Sequence, residues 1–346
     1  MTDCTSVPPL ISVIIPTFNA GERIAECLRS VLDQDYPADR VEILVVDGGS
    51  QDLTHRVVSE FKREYASIHW LDNPGRIVST AMNIGIRRAR GDVIVRVDAH
   101  CILEPDYLRQ CVRYLEITGA DNVGGLMRPM GKGYVGRAIA LTMSSPLAVG
   151  DAKFRYATQM QEVDTVYMGV FSRDVFERVG VYNESLVRNQ DYELNYRIRA
   201  HGGHIYLVPP LRSYYVTRPT LRAFWFQYFD YGFWKVQMLR RHPRSVRWRQ
   251  LVSPFFVASL IITGVGGRLF RPLTLLFRLI AGAYMSLAGL FTLRTARRHG
   301  WRYLPILPIT FASMHLSWGL GFLWGLVRRP AAFDRSTPMW YGKPRS

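Results

Sequence analysis

The sequence predicts an α/β domain with a mostly parallel sheet flanked by helices, followed by C-terminal transmembrane helices. From residue 11 to about residue 210, short β-branched runs alternate with amphipathic stretches, a pattern typical of strands covered by helices. From residue 251 onwards, long apolar segments alternate with arginine clusters, as in membrane helices. These two observations divide the chain into a folded N-terminal domain and a C-terminal membrane region.

Each element of the first domain is predicted from a run of this kind. Buried strands are expected at residues 11–16, 41–47, 68–71 and 92–98, and helices at residues 22–33, 54–65 and 79–89. In open parallel sheets, ligands bind beyond the carboxyl ends of the strands. We therefore expect Thr17, Asp47 and Asp98 to meet in one crevice, although they are distant in sequence.

Three apolar segments are candidates for membrane helices. Residues 251–267 and 304–327 are each about as long as a bilayer requires, which is roughly 20 residues. Residues 273–293 form a third segment, which Arg278 interrupts at a cost of about 2.5–3.5 kcal/mol near the bilayer centre. A buried helical bundle is the alternative interpretation of all three.

The distribution of basic residues predicts the topology of these segments. Cytoplasmic loops carry an excess of Lys and Arg, so residues 240–249 and 294–302 are expected in the cytoplasm, with three spans and an external C-terminus. The basic residues of the tail, 328–345, argue against that last step. A re-entrant segment is the alternative.

Composition narrows the class of protein. The net charge of +16 suits nucleic acid, an anionic membrane or a phosphorylated substrate, but many basic residues lie beside the apolar segments, which favours a membrane. No aromatic and basic pattern of a nucleic-acid module is present, so nucleic acid is not an expected partner. The four cysteines have no paired spacing, which indicates a reduced compartment. Residues 1–9 do not resemble a cleaved signal peptide, so the first domain is predicted to stay in the cytoplasm.

Polar residues follow three of the predicted strands. They are Thr17 and Asn19 after Pro16, Asp47 with Gly49 and Ser50, and Asp98 with His100. Each motif alone has a structural explanation as a loop start or turn, and Asp52 can be a helix cap. Asp98 and His100 are two residues apart, so they point the same way if the strand continues, and both are metal-ligand types. Together, at neighbouring strand ends, the three motifs predict a ligand site.

These motifs resemble those of the family-2 inverting glycosyltransferases, which have the GT-A fold. The resemblance covers about residues 10–210 and rests on four motifs in the family's order, at residues 11–19, 47–52, 83–92 and 98–100. The Asp-Ala-His form and two further segments, at residues 226–232 and 315–322, are similar to the glucosyltransferases of succinoglycan-type exopolysaccharide assembly.

The resemblance implies a nucleotide-sugar site. Thr17 and Asp47 would hold the nucleoside, with Asp47 on the uracil, and Arg76 and Asn83 would border the sugar-diphosphate. The full set of residues implied to contact the donor is Pro16, Thr17, Asn19, Asp47, Gly49, Ser50, Arg76, Asn83 and Asp98.

The resemblance also implies a divalent metal ion, Mg²⁺ or Mn²⁺, on the diphosphate. Asp98 matches the first carboxylate of the family's metal motif, and His100 stands where an aspartate is usual. An imidazole suits Mn²⁺ better than Mg²⁺. Either His100 changes which metal ion the site prefers, or Asp98 holds the ion together with water molecules.

A further motif lies in the acceptor half of the domain. It is Asn189-Gln190-Asp191, which matches the family's Glu-Asp site, with Gln190 in place of the glutamate. In the family this aspartate is the general base, so the resemblance assigns that role to Asp191. A sugar hydroxyl is a poor nucleophile, and a carboxylate within about 2.6–3.2 Å can take its proton. Asp191 can also be an N-cap of a helix at residues 192–200.

The C-terminal half is predicted to be a membrane module. The aromatic residues 224–234 fit an interfacial amphipathic helix, or a surface on which sugars stack. The predicted regions are a catalytic domain at 1–215, an amphipathic region at 216–250, about three spans at 251–327 and a basic tail at 328–346. A Gln-x-x-Arg-Trp motif, found in processive relatives, is not present near residue 227, which favours single additions.

The predicted function is therefore a membrane-anchored inverting glycosyltransferase of the inner membrane, with a cytoplasmic catalytic domain. It would transfer a sugar to a polyprenyl-linked or oligosaccharide acceptor in exopolysaccharide biosynthesis. The expected donor is UDP-glucose, which would supply glucose, and membrane lipids are expected partners. The alternatives are a polyprenyl-phosphate sugar transferase and a non-catalytic membrane protein that retains the fold.

Overall fold

The structure is a computed structural model that describes residues 7–150 and 152–330. The chain forms two compact units. Of the described residues, 7–128 and 153–215 form one unit, and 129–150, 152 and 216–330 form the other. The assignment of functional regions to these stretches remains a prediction.

The first unit alternates strands and helices. In chain order its elements are β1 (Ile11–Thr17), α1 (Ile24–Leu32), β2 (Val41–Asp47), α2 (Thr54–Glu64), β3 (Ile68–Asp72), α3 (Val78–Arg88), β4 (Val93–Arg96), β5 (Cys101–Leu103), α4 (Tyr107–Thr118) and β6 (Asn122–Met130). The next two helices, α5 (Gly133–Met143) and α6 (Pro146–Val149), belong to the second unit. The remaining elements of the first unit are β7 (Gln161–Glu162), β8 (Tyr167–Ser172), α7 (Asp174–Val179), α8 (Gln190–Ala200) and β9 (Ile205–Val216). The predicted strands and helices up to residue 98 all form, with ends that differ by one or two residues.

The strands form one mixed sheet in the order β3-β2-β1-β4-β8-β6-β9-β5, and β7 also pairs with β9. The strands β3, β2, β1 and β4 are mutually parallel, whereas β8 runs antiparallel to β4 and β6, and β9 runs antiparallel to β5 and β7. The prediction of a mostly parallel sheet is correct for the first half and wrong for the second. β-branched runs report the burial of a strand, not its direction.

One core cluster of this unit lies between the sheet and three helices, α3, α7 and α8. Central strands contribute Ile14 and Leu44, and the helices contribute Met82 and Leu194, all essentially without solvent exposure. Each buried aliphatic side chain of this kind contributes about 1.5–3 kcal/mol through removal from water. The sheet is therefore a rigid support for the loops at its carboxyl edge.

A buried polar network fixes the opposite, amino-terminal edge of the sheet. The Glu42 carboxylate accepts hydrogen bonds from the Ser12 hydroxyl and the Arg90 backbone amide, both at 2.5 Å. The Gly91 amide donates to the Ser12 hydroxyl at 2.8 Å. Burial opposes ionisation of Glu42, but these hydrogen bonds and the charge of Arg90 keep its pKa below the ordinary value. The segment around Arg90 that resembles a family motif thus stabilises the sheet.

The second unit is helical. Besides α5 and α6, its helices are α9 (Leu221–Arg241), α10 (Arg249–Gly266), α11 (Arg271–His299) and α12 (Leu307–Val327). Glycines allow α9 and α12 to pack closely, since a side chain at Gly232 would collide with the Trp318 carbonyl and one at Gly321 with the Phe229 carbonyl. Three aromatic residues of the predicted interfacial segment, Phe224, Tyr228 and Trp234, are buried within this unit.

Two helices are long and apolar enough to cross a membrane, by length and composition alone, among the residues that the structure describes. They are α10 and α11, which correspond to the predicted spans at 251–267 and 273–293. The third predicted span forms α12, which does not meet the same criterion. Small and polar residues lower its hydropathy, and Thr310 and Ser317 are buried inside the unit. The basic residues after 330 lie outside the described residues.

Candidate active site

The carboxyl edge of the parallel strands brings the predicted donor residues together. In the strand register Thr17 lies beside Asp47, and Asp47 lies beside Asp72. The Val97 amide donates to the Ile14 carbonyl at 3.0 Å, which continues the pairing of β4 with β1 to the residue before Asp98. The structure thus places Thr17, Asp47 and Asp98 at the ends of adjacent strands, on one edge.

The loop after β2 is organised around the buried Asp47 carboxylate. One carboxylate oxygen accepts the backbone amides of Gly49 and Ser50 at 2.9 and 2.8 Å, and the other accepts the Ser50 hydroxyl at 2.5 Å. The loop after β1 is tied to the same turn, because the Asn19 amide donates to the Ser50 hydroxyl at 2.8 Å and the Asn19 side chain accepts the Gln51 amide at 2.9 Å. The two loops therefore form one pre-shaped surface.

Arg76 lies against this surface. Gly49 has a φ of +83°, and a side chain there would come within 3.6 Å of the Arg76 guanidinium. Arg76 itself has a φ of +57°, an uncommon backbone conformation for a residue with a side chain. The structure thus brings a positive charge next to the Asp47 loop, and a contact of Arg76 with a sugar-diphosphate remains a prediction.

Asn83 has another set of contacts. Its amide nitrogen donates to the Tyr182 carbonyl at 2.9 Å and to Glu184 at 2.8 Å, and its oxygen accepts the Tyr182 amide at 2.9 Å. The side chain is buried and holds the segment before α8 against α3. A contact of Asn83 with a sugar-diphosphate remains a prediction.

Asp52 lies one residue before Leu53, the N-cap of α2, so it does not cap the helix as the structural interpretation of that residue expects. Its carboxylate accepts the Thr54 amide at 3.0 Å and the Gly21 amide at 2.9 Å. Burial opposes ionisation, but these bonds and the Thr54 hydroxyl lower the pKa of Asp52. The residue links the loops after β1 and β2 from outside the site.

Asp98 is held from three sides. Arg96 donates to one carboxylate oxygen through Nε at 2.9 Å and Nη2 at 2.8 Å, and the Tyr167 hydroxyl donates to the other at 2.9 Å. The Asp98 backbone amide donates to the Met168 sulfur at 3.5 Å. Burial opposes ionisation, but the charges of Arg96 and His100 and the hydrogen bonds keep the pKa of Asp98 below its ordinary value.

Asp191 lies at the other end of the Arg96 guanidinium, which donates to it through Nη1. The residue is the second of α8, and Asn189 precedes the helix with a φ of +63°. Asp191 is thus in the first turn and is not the N-cap. Desolvation raises its pKa, Arg96 opposes that shift, and the Asp98 carboxylate adds to it. A third of the side chain remains exposed.

Three potential metal ligands cluster after β4. Donor atoms of Asp98, His100 and Cys101 all lie within 4.8 Å of one another. The His100 ring packs edge-on against Tyr215, with centroids 4.9 Å apart. The Cys101 thiol contacts the Tyr167 hydroxyl at 3.0 Å, and burial raises its pKa well above the ordinary value. The predicted pair, Asp98 and His100, is therefore together in space, with a third side chain beside it.

Sequence reasoning did not identify Arg96, and it placed Tyr167 and Met168 in a motif of the acceptor half without a role beside Asp98. One signal was available for the first: an arginine within the run Val93 to Val97, where every neighbour is apolar, must be paired. Tyr167 and Met168 are the first residues of β8, and their position beside Asp98 depends on the pairing of β8 with β4, which is distant in sequence. Met168 has a φ of +49°, which only the coordinates reveal.

The chain is similar to known glycosyltransferases in sequence. The model of the family described as glycosyl transferase family 2 matches residues 12–180. The chain is 30% identical over 335 residues to a Methanococcus voltae protein named dolichyl N-acetyl-alpha-D-glucosaminyl phosphate 3-beta-D-2,3-diacetamido-2,3-dideoxy-beta-D-glucuronosyltransferase, covering 93% of this chain and 99% of that protein. It is 27% identical over 322 residues to succinoglycan biosynthesis protein ExoA of Rhizobium meliloti, covering 92% and 95%.

The fold is also that of a solved glycosyltransferase. Mannosyltransferase PcManGT from Pyrobaculum calidifontis, in complex with GDP-Man and Mn²⁺, has a TM-score of 0.64 at 20% identity, covering 92% of this chain and 88% of that one. The α/β unit with its mixed sheet is thus a GT-A fold. The similarity to the Methanococcus voltae protein extends over nearly the whole of both chains, and on this ground the chain belongs to glycosyl transferase family 2.

Proposed function

We propose that this family-2 glycosyltransferase is membrane-anchored and inverting, and that it transfers glucose from UDP-glucose to a lipid-linked glycan in exopolysaccharide assembly. The observation that carries the proposal is the contact of one guanidinium, that of Arg96, with both Asp98 and Asp191. It supports a donor carboxylate and a base in one crevice, beside the strand ends that carry Thr17 and Asp47.

The Asp47 turn supports a uridine nucleotide. An ionised carboxylate only accepts hydrogen bonds, and the imide N–H of uracil is a donor. Gly49 and Ser50 hold the carboxylate in place, and the absence of a side chain at Gly49 lets a ligand approach the backbone. Pro16, Thr17 and Asn19 would complete the nucleoside contacts.

The residues after β4 fit a divalent ion. Asp98 and His100 would hold it, since they offer a carboxylate oxygen and an imidazole nitrogen within 4.8 Å of each other. This mixed donor set suits Mn²⁺ better than Mg²⁺, and the Mn²⁺ of the PcManGT complex agrees with that preference. When bound, a divalent cation stabilises the negative charge that the departing nucleoside diphosphate gathers.

Asp191 would act as the general base. Its carboxylate takes the proton of an acceptor hydroxyl, whose oxygen bonds to the anomeric carbon. The bond from that carbon to the diphosphate oxygen breaks, and its electron pair leaves with the nucleoside diphosphate. The raised pKa makes the carboxylate a stronger base than an ordinary aspartate. A single displacement inverts the anomeric centre, so an α-linked donor gives a β-glycoside.

The names of two relatives support a lipid-linked acceptor and a polysaccharide product. The Methanococcus voltae protein is named for transfer to a dolichyl-phosphate-linked sugar, and the Rhizobium meliloti protein for succinoglycan biosynthesis. An acceptor of this kind lies at a membrane, where the inner-membrane location would place the catalytic unit.

The experiment that tests the function is a donor and acceptor panel. Membranes that contain the protein are incubated with Mn²⁺, a set of UDP-sugars and GDP-mannose, and either polyprenyl phosphate or polyprenyl-linked glycans, and products are identified by mass. We expect one hexose to be added to a lipid-linked glycan, with UDP-glucose the best donor. Transfer to polyprenyl phosphate itself would instead support the alternative transferase. No transfer with any donor would overturn the proposal.

The surface of α10 and α11 supports the membrane anchor. Large apolar side chains on both helices are exposed, among them Ile262 and Leu290 at 64% and 61%. No aspartate or glutamate lies between Asp230 and Asp334, whereas that stretch contains 15 lysine and arginine residues. Apolar surface with exclusively basic flanks matches the interior and the anionic headgroups of a bilayer.

We expect the wild-type protein to float with phosphatidylglycerol-containing vesicles in a density gradient, and the double variant Ile262→Asp with Leu290→Asp to remain largely at the bottom. Each aspartate near the bilayer centre costs about 2.5–3.5 kcal/mol. The matched control places aspartate at Leu53 and Ile117, which are similarly exposed but lie in the first unit. Equal flotation of the two double variants would contradict the assignment of α10 and α11 as the anchor.

A further inference from the structure

The Arg96 guanidinium is buried between two carboxylates that come from distant parts of the chain. The residue is 5% exposed. It contacts Asp98, two residues further along the chain, and Asp191, which lies 95 residues away at the start of α8. All three residues belong to the first unit.

A buried guanidinium cannot lose its charge, so it must stay paired. Burial favours the neutral form, but the charges of Asp191 and Asp98 raise the pKa of Arg96 well above its ordinary value. An unpaired buried charge costs several kcal/mol. The hydrogen-bond donors of the Arg96 guanidinium are paired only while both carboxylates stay in place. In return, Arg96 offsets the electrostatic repulsion between the Asp98 and Asp191 carboxylates.

The shape of the side chain matters as much as its charge. Nε and Nη2 point to Asp98 while Nη1 points to Asp191. A guanidinium is a planar, rigid group with donors on several sides, whereas a lysine ammonium is a single point on a flexible chain. Only the former holds two carboxylates at a fixed separation.

From this juxtaposition we infer that Arg96 is a positioning residue, which sets the base Asp191 at a fixed distance from the donor-side Asp98. The role rests on the proposed function, because it gives the two carboxylates their parts in the transfer. Arg96 itself does not contact the reacting atoms. It acts on the turnover number by keeping the acceptor hydroxyl, once bound to Asp191, in line with the anomeric carbon. A misplacement of about 1 Å in such a geometry lowers the rate by about 100-fold.

The alternative is an ion pair that only stabilises the fold. Arg197 provides a matched control for that role. It forms a two-pronged pair with Glu193 at 2.8 and 3.0 Å and also donates to the Val181 carbonyl at 2.8 Å, all within the first unit and without contact to the carboxylates of the site. Arg197→Lys removes the same kind of fork from a structural pair.

The experiment compares Arg96→Lys with Arg197→Lys by steady-state kinetics, by Mn²⁺-dependent UDP binding and by thermal unfolding. For Arg96→Lys we expect a turnover number lower by about 30-fold or more, with the KM for the donor and UDP binding changed by less than about threefold. Arg197→Lys is expected to lower the unfolding temperature and leave the turnover number close to wild type.

A double-mutant cycle with Asp191→Asn tests whether Arg96 acts through the base. If it does, Arg96→Lys lowers the turnover number by less than about threefold once Asp191 is asparagine, because residues that act as a unit are non-additive. Equal losses in both backgrounds, or equal turnover in the two lysine variants, would overturn the positioning role while the proposed function stands. A wild-type protein without transferase activity would overturn both.

Discussion

Replacing Asp191 with asparagine is expected to lower the turnover number for sugar transfer by about 100-fold or more, while UDP binding stays within about threefold of wild type. Asparagine has the shape of aspartate, and its carbonyl oxygen can still accept the hydrogen bond from Arg96. It cannot take the proton of an acceptor hydroxyl. Steady-state kinetics and a UDP titration in the presence of Mn²⁺ measure the two quantities.

The control for this variant is Asp174→Asn. Asp174 also lies in the first turn of a helix, α7, and pairs with an arginine, Arg178, at 3.1 Å. Its hydrogen bonds to Ser172 and Arg178 and the charge of Arg178 lower its pKa, whereas the pKa of Asp191 is raised. We expect Asp174→Asn to retain wild-type turnover. An Asp191→Asn protein as active as this control contradicts the assignment of the base.

Replacing Asp98 with asparagine is expected to remove the effect of Mn²⁺ on UDP binding and to lower kcat/KM by about 1000-fold. A metal ion contributes several kcal/mol to stabilisation of the leaving group, and each 1.36 kcal/mol is a factor of about ten in rate. The fold is expected to survive, because asparagine can accept from Arg96 with its oxygen and donate to the Tyr167 hydroxyl with its nitrogen. Calorimetric UDP titrations with Mn²⁺ and with a chelator provide the measurement.

Asp121→Asn is the matched control for Asp98. Asp121 is a buried carboxylate of the same unit that pairs with Arg178 and accepts the His204 amide at 2.8 Å. Its loss is expected to lower stability and to leave the Mn²⁺ dependence of UDP binding unchanged. If Asp98→Asn still responds to Mn²⁺ as this control does, then Asp98 is not a ligand of the ion.

The parallel half of the fold was predictable because short, contiguous stretches of sequence determine its strands and helices. The strands β1 and β2 are continuous apolar runs, and each ends in a polar residue at the sheet edge. A ligand-binding edge follows from such a pattern by the general rule for parallel sheets. The direction of β8 and β9 was not predictable in this way, since strand direction depends on pairing between residues far apart in sequence.

The residues of the candidate site were likewise predictable only where their position depends on local sequence. Thr17 and Asp47 are the last residues of β1 and β2, and Asp98 lies two residues after β4, so their shared edge could be inferred from the sequence. The contact of Asp98 with Asp191 through Arg96 is a tertiary arrangement across 95 residues, and no spacing encodes it. Asn83 illustrates the reverse case, in which a residue of a recognisable motif is engaged in holding the backbone near Tyr182.

The apolar helices of the second unit were predictable in composition but not in packing. A run of apolar residues looks alike whether it faces lipid or a neighbouring helix. The helices α10 and α11 keep their apolar side chains exposed, whereas α12 buries Phe311 and Phe322 within the unit. Glycines at the contact of α9 with α12 are the sequence feature that distinguishes the two situations.

Four non-glycine residues in the described part of the chain have positive φ angles, and all four border the carboxylates of the site: Asn19, Arg76, Met168 and Asn189. Such backbone conformations cost about 1–3 kcal/mol each and persist only where the surrounding fold imposes them. The free energy of folding thus compensates for these unfavourable backbone conformations before any substrate binds. Under the proposed function, a nucleotide would find turns that already have their final shape, and little of its binding energy would be consumed in ordering them.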